Sequence, residues 1–148
     1  MAVIGDVEVL VDFNYRMALS TESLELDREV LFNGVSAVFS DDTRGFYVVA
    51  EDIDEGRVIG GLLVGSEWSD WRNAWYWWIA SVFVEEEYRR KGVYRDLYSF
   101  VKKHARSQGN VHGFRLYVEV ENVGAQRVYE NVGMIASNYL MFYEELDQ

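Results

Sequence analysis

The stretch Val82-Phe83-Val84-Glu85-Glu86-Glu87-Tyr88-Arg89-Arg90-Lys91-Gly92-Val93-Tyr94 decides the reading of this chain. Its first residues end an apolar, β-rich run. After Gly92, residues Val93, Leu97, Val101 and Ala105 recur every four positions, the spacing of one helix face. A strand therefore passes into a helix through a basic loop that carries a glycine. The free N–H groups at a helix start, together with the helix dipole, favour an anion. Gly92 lets that anion approach the backbone, and Arg89, Arg90 and Lys91 add Coulombic attraction. These are the parts of a pyrophosphate cradle. Neither a G-x-x-x-x-G-K-[ST] nor a G-x-G-x-x-G pattern is present, so the Walker and dinucleotide types are set aside. The plainer alternative is a solvated charge run that offsets Glu85-Glu86-Glu87.

Working outward, Asp6 is placed to cap a helix running to about Ser20, and Asp27 to open a second helix that ends before Ser40-Asp41-Asp42. Phe46 to Ala50 and Val58 to Val64 read as a hairpin, and a polar loop from Ser66 to Asn73 leads into an aromatic strand, Trp75 to Val84. Beyond the central helix, which Gly109 stops, Leu116 to Val120 alternates like a short strand. Asn122 suits the N-cap of a helix from Val123 to Asn131, Gly133 suits its C-terminal cap, and Tyr139 to Tyr143 reads as a last strand. The order β-α-α-β-β-β-α-β-α-β implies an α/β fold, a mixed central sheet with helices on both faces, in one domain spanning 1–148.

Composition narrows the function. With 148 residues, 49% of them hydrophobic, the chain can bury a substantial core. There is no cysteine, so disulfides and thiolate chemistry are excluded, and His104 and His112 are too few and too far apart to suggest a metal cluster. The N-terminus lacks a basic patch followed by an apolar run, and no apolar stretch approaches the roughly 20 residues of a bilayer span. A cytoplasmic protein away from membranes is expected. The net charge of -11 argues against nucleic acid. Residues 1–70 hold 15 acidic and 4 basic residues, while 7 of the 14 Lys and Arg residues lie between Arg89 and Arg106. Two surfaces with different ligands, or an acidic surface serving only solubility, both fit that asymmetry.

Arg89-x-x-Gly92-x-Tyr94, directly after Val82-x-Val84, resembles the first signature of the GNAT acyltransferase superfamily. Asn122-x-x-Ala125-x-x-x-Tyr129-x-x-x-Gly133-Met134 resembles its second. The departure is Tyr94, where the pattern has a small residue. The resemblance implies an N-acetyltransferase that moves an acetyl or longer acyl group from acetyl-CoA to a primary amine, by direct attack in a ternary complex without a metal. It implies a pyrophosphate on the amides from Arg90 through Val93 to Tyr94, pantetheine along the strand ending at Val84 where two strands splay apart, and Asn122 in the second block. It further implies an oxyanion donor in the backbone N–H near Val84, and Tyr129 as the acid that protonates the departing thiolate. The alternative for Tyr129 is a core aromatic one turn after Ala125.

For the base, Glu119 is the first candidate, because Tyr117, Glu119 and Glu121 alternate away from the apolar residues of the expected strand. Glu67 and Asp70 are alternatives, as is a water chain. All five tryptophans lie between Glu67 and Ile79. Trp75 and Trp77, or Trp78, suit the core. Trp68 and Trp71, beside Asp70, are placed to line the acceptor pocket, where a cation can stack on a ring. A small-molecule or peptide amine, cationic because of the acidic half, is the expected acceptor, and a homodimer is compatible with the sequence. Two other classes stay open: a non-catalytic acyl-CoA-binding or regulatory module, and a protein-interaction domain that docks through its tryptophans.

Overall fold

The structure, a computed structural model, describes residues 1–146, which cluster in two compact units, Met1–Tyr117 and the residues from 118 onward. In the first unit α1 (Val7–Glu22) and α2 (Arg28–Ser40) precede a meander of β1 (Phe46–Asp52), β2 (Arg57–Ser69) and β3 (Ala74–Val84); α3 (Val93–Gln108) then crosses to β4 (Val111–Arg115). Strands β1 to β3 are antiparallel, and β4 lies parallel to β3, so the mixed sheet has the order β1-β2-β3-β4. A parallel pair needs a long crossover, which α3 supplies.

Strand alternation divides the core between the two faces. Phe46 packs edge-on against Trp77 and against His104 of α3. Its neighbour Tyr47 points the other way and joins Val7, Leu10, Val11 and Val35. Thus α3 covers one face, and α1 with α2 the other. Helix α3 buries Tyr94, Leu97, Tyr98, Val101 and Ala105, the stripe its sequence spacing requires. Asp27 caps α2, accepting from the N–H groups of Glu29 (2.8 Å) and Val30 (3.0 Å). Asp6 behaves differently, taking the N–H of Val3 at 2.8 Å and closing the 3-10 turn Ile4–Asp6 that feeds α1.

Several elements depart from the sequence expectation. The polar stretch from Ser66 is not a loop: β2 continues to Ser69, pairing Glu67 with Tyr76 and Trp68 with Trp75. Polar side chains are tolerated there because this end of the hairpin is partly solvated. Strand β4 lies at Val111–Arg115 rather than Leu116–Val120, because its ladder with β3 ends at Trp78↔Arg115. No opening strand forms, although Ala2 donates to Tyr47 O at 2.9 Å.

In the second unit α4 (Val123–Asn131) is bounded as its sequence suggests. Asn122 Oδ1 accepts from Ala125 N–H (3.1 Å). Gly133 takes φ 92° while its N–H reaches Glu130 O (2.9 Å) and that of Met134 reaches Tyr129 O (3.1 Å), the paired bonds of a Schellman stop. Tyr139 to Tyr143 form no strand: among the described residues no ladder includes them, and their side chains are exposed. No helix of the described residues is long and apolar enough to cross a membrane.

Candidate active site

The site is organised by a kink in β3. Gly61 pairs with Phe83 and Leu63 with Ala80, so Ser81 and Val82 together oppose Leu62, and Ser81 takes φ 50°. Such a bulge bends the strand and shifts its alternation by one. Before the kink Trp77 faces α3; after it Phe83 stacks on Phe13 of α1 at 4.6 Å. Since the ladder to β4 ends at Trp78, β3 runs on from Ile79 to Val84 paired with β2 alone. That is a splayed edge: among the described residues no strand pairs with β3 on its β4 side beyond Trp78.

This open edge leads to the basic loop. Arg90 (φ 62°) and Gly92 (φ 87°) both adopt the left-handed conformation, of the kind that can turn successive amides toward an anion. No side chain caps α3, whose N-cap is Gly92, so its first-turn amides are left for a ligand. Tyr94 turns its ring into the core, parallel to that of Tyr98 at 6.0 Å, and so offers the loop only backbone. The bulky residue at this motif position is thereby accommodated. The three cations diverge: Arg89 Nε donates to Val84 O (3.0 Å), while Lys91 Nζ lies 5.1 Å from the Tyr88 ring. Arg95, which sequence reasoning missed, folds back over Gly92. An arginine one turn into the helix, on the face opposite Leu97, was the available signal.

Tethers hold the loop at both sides. Glu85, at the end of β3, accepts two bonds from Arg16 of α1 (3.0 and 2.7 Å), and this pairing holds the guanidinium pKa well above its ordinary value. Tyr88 donates to Asp52 at 2.6 Å, and Glu87 pairs with Arg57 at 2.6 Å. The Tyr88 bond lowers the Asp52 carboxyl below its ordinary range and pushes the phenol up to about 12.

Beside the kink lies a cavity of about 300 Å³ between α1, α2 and the sheet. Ser81, Asn14, Tyr47 and Asp27 supply its polar groups. Burial pushes the Tyr47 phenol up, opposed by its hydrogen bond with Asn14. Asn14 Nδ2 in turn donates to Leu10 O at 2.9 Å, so this buried amide is fixed in place. None of the four was picked out by sequence as a group, because the kink that assembles them is a tertiary feature.

The other sequence candidates fall elsewhere. Glu119 is off the strand in an exposed segment, its carbonyl accepting from Asn122 N (3.0 Å) and Gln126 Nε2 (3.2 Å). The mid-strand argument for it as a base therefore lapses. Tyr129 sits on α4, where burial raises its phenol pKa above the ordinary tyrosine value. Glu67 accepts from Arg115 Nη1 (2.6 Å) and Trp78 Nε1 (2.5 Å) on the face of the sheet opposite Trp77. Trp68 packs on Trp75 (5.0 Å), while Asp70 and Trp71 occupy the hairpin turn, with Trp71 88% exposed. Strand β3 separates them from Val84 by roughly 30 Å, given about 3.3 Å per residue. Asp70, Trp68 and Trp71 therefore lie at the far end of β3 from the basic loop, whereas the kink cavity lies beside Ser81. Among the described residues no group of three or more His, Asp or Glu is arranged to hold a metal ion.

Comparison with known proteins gives the family and the fold. The acetyltransferase (GNAT) family matches residues 9–134. A possible acetyltransferase from Clostridium difficile 630 is 39% identical, with 99% of this chain and 95% of that one covered and a TM-score of 0.90. Glucosamine-6-phosphate N-acetyltransferase from Arabidopsis thaliana (19% identity, 99% and 95% covered, TM-score 0.73) shares the fold. So does ribosomal-protein-alanine N-acetyltransferase from Brucella melitensis biovar Abortus 2308 (11% identity, 99% and 96% covered, TM-score 0.77). No functionally curated protein matches the chain. With both signature blocks, the splayed sheet and a family match over most of its length, the chain belongs to the acetyltransferase (GNAT) family.

Proposed function

We propose that the protein transfers the acetyl group of acetyl-CoA to a primary, cationic amine bound beside the kink of β3. The observation that carries this reading is the sequence of features along one strand: the release of β3 from β4 after Trp78, the kink at Ser81, and the left-handed turns at Arg90 and Gly92. The residues fit the cosubstrate, because the amides ahead of α3 are uncapped and Gly92 leaves them uncovered. Arg90, Gly92, Val93 and Tyr94 would hold the pyrophosphate by backbone N–H groups, with Arg95 adding charge. Pantetheine, itself rich in amides, would pair along the open edge through Val82 and Val84.

Bound acetyl-CoA supplies an activated carbonyl: the amine nitrogen forms the new C–N bond and the C–S bond breaks, leaving CoA thiolate. The protein's own part is largely positioning. A backbone N–H on the open edge of β3 would stabilise the oxyanion. The resemblance of the second signature block supports Tyr129, whose phenol burial holds protonated, as the acid for the thiolate. An amine with a pKa near 10.4 is neutral in only roughly one molecule in 2,500 at pH 7. Losing the amine proton is therefore the harder half: Asp27 is the carboxylate that the kink cavity offers to bind the ammonium, and the proton would pass to solvent water before the neutral amine attacks.

A panel of amines incubated with acetyl-CoA, read by free thiol, tests this directly. Cationic amines should raise thiol release over the amine-free rate. Saturable acetyl-CoA binding with no amine-dependent release from any member would leave a binding module in place of an enzyme.

A further inference from the structure

Helix α2 carries a glycine in its middle that its backbone does not need. Gly34 is helical, with neither a positive φ nor a close neighbour: a Cβ built there meets nothing within 4 Å. A glycine inside a helix is destabilising relative to alanine. Gly34 is exposed, so the space its missing side chain leaves is open to solvent at the mouth of the groove it lines.

That space belongs to the kink cavity. Asp27, Val30, Leu31, Gly34 and Val35 fall at i, i+3, i+4, i+7 and i+8, one face of α2, and all line it together with Leu26. The face is apolar apart from Asp27, whose carboxylate is held by two backbone amides at the helix start. Val30 is 69% exposed, although it lies on the apolar face of an amphipathic helix. We propose that Gly34 sets the depth of the acceptor pocket, and that the acceptor is a primary amine on an apolar alkyl or arylalkyl body, which packs against Val30, Leu31 and Val35. This rests on the acetyl-transfer reading above and specifies its substrate class. The ammonium faces Asp27 and the polar groups at Ser81, and the carbon body fills the space that the missing side chain leaves.

The test uses n-alkylamines from propylamine to octylamine, which share charge and basicity and differ only in apolar length. For the wild-type protein kcat/KM should climb about 4-fold per methylene while the cavity fills, the factor corresponding to about 0.8 kcal/mol per buried CH₂. In Gly34→Leu the climb should stop several methylenes sooner. Octylamine then loses at least about 10-fold, while propylamine stays within about 2-fold. Gly34→Ala serves as a folding control and should raise Tm.

Equilibrium binding of the same amines to the CoA-saturated protein separates the two claims. Length-dependent binding that Gly34→Leu truncates, without thiol release, would support the pocket and remove the transfer reading. Thiol release with a flat length dependence, or an equal loss at every length in Gly34→Leu, would leave transfer standing and overturn the pocket. Neither binding nor release by any amine would overturn both.

Discussion

A Cβ added to Gly92 would stand 2.8 Å from Nη2 of Arg95, because the guanidinium of the first helical turn lies directly over the glycine that starts α3. The proposed cradle thus combines backbone amides with a cation held over Gly92, whose Nε also contacts Asp96 at 3.3 Å. Gly92 also holds φ 87°, where L side chains are strained. Gly92→Ala should therefore lower stability by about 1–2 kcal/mol through backbone strain. It should also weaken acetyl-CoA binding beyond that, by at least about 10-fold, because the methyl group covers the amides. Urea melts and binding titrations on the same preparation separate the two effects. Unchanged affinity in the folded variant would put the pyrophosphate elsewhere.

Arg95→Gln removes the cation and leaves the backbone untouched. Its side chain is about 70% exposed, so the fold should be unaffected and the Kd for acetyl-CoA should rise roughly 5-fold, the equivalent of about 1 kcal/mol for a solvated charge contact. The loss should shrink with added salt, as screening removes the same attraction in the wild type.

The doubly bonded Arg16–Glu85 pair joins α1 to the end of β3, with the Glu85 side chain only 13% exposed. Arg16→Met should lower stability by about 1–2 kcal/mol, more than an exposed pair contributes, since Glu85 is left partly buried without its partner. A double-mutant cycle with Glu85→Gln should recover about half of that loss; strictly additive losses would show the pair to be uncoupled.

Burial raises the Tyr129 phenol above its ordinary value near 10, so the side chain keeps its proton across the neutral and mildly alkaline range. The kcat/KM for the amine should accordingly rise with pH up to at least about pH 10, with no falling limb from this tyrosine. Tyr129→Phe should lower kcat by about 10²-fold, the small end of general-acid effects, because a thiolate already leaves well. A falling limb below pH 10 that disappears in Tyr129→Phe would contradict the assignment.

The Tyr88–Asp52 bond makes a separate, signed statement about stability. Asp52 is lowered in the folded protein, so its contribution is present above the ordinary value near 3.9 and is lost as pH falls through and below it. Tyr88 is raised to about 12, so its contribution is full below about pH 10 and is lost as pH climbs from there through about 12. The Tm difference between wild type and Tyr88→Phe should be flat from about pH 5 to 9 and shrink at both ends. A difference that grows at either end would contradict this.

What could be read from sequence was mostly local. Asp27, Asn122 and Gly133 are caps, signals confined to a few residues, and each stands at the helix end it marks. The amphipathic period of α3 and the cationic loop before it likewise depend on near neighbours. The kink at Ser81 is different: nothing in Ala80-Ser81-Val82 asks for a positive φ, which arises from register against β2. The usable hint was Gly60-Gly61, two strand glycines opposite Val84 and Phe83, since glycine inside a strand marks a bulge or a close backbone approach. The misplacement of β4 has a similar cause. Leu116–Val120 alternates more cleanly than Val111–Arg115, yet pairing with β3 rather than pattern decides which residues become strand. Which residues line the kink was not legible for the same reason, as alternation in β2 and β3, not nearness in sequence, decides what faces it.

The most direct test of the account is a thermal melt of the wild-type protein titrated with acetyl-CoA. At 100 times its dissociation constant the ligand should add about 2.7 kcal/mol, which raises Tm by roughly 5–10 °C for a chain of this size, and the rise should be much reduced in Gly92→Ala. A Tm that stays fixed at saturating acetyl-CoA and CoA alike would contradict the cradle between β3 and α3, and with it the transfer chemistry built on it.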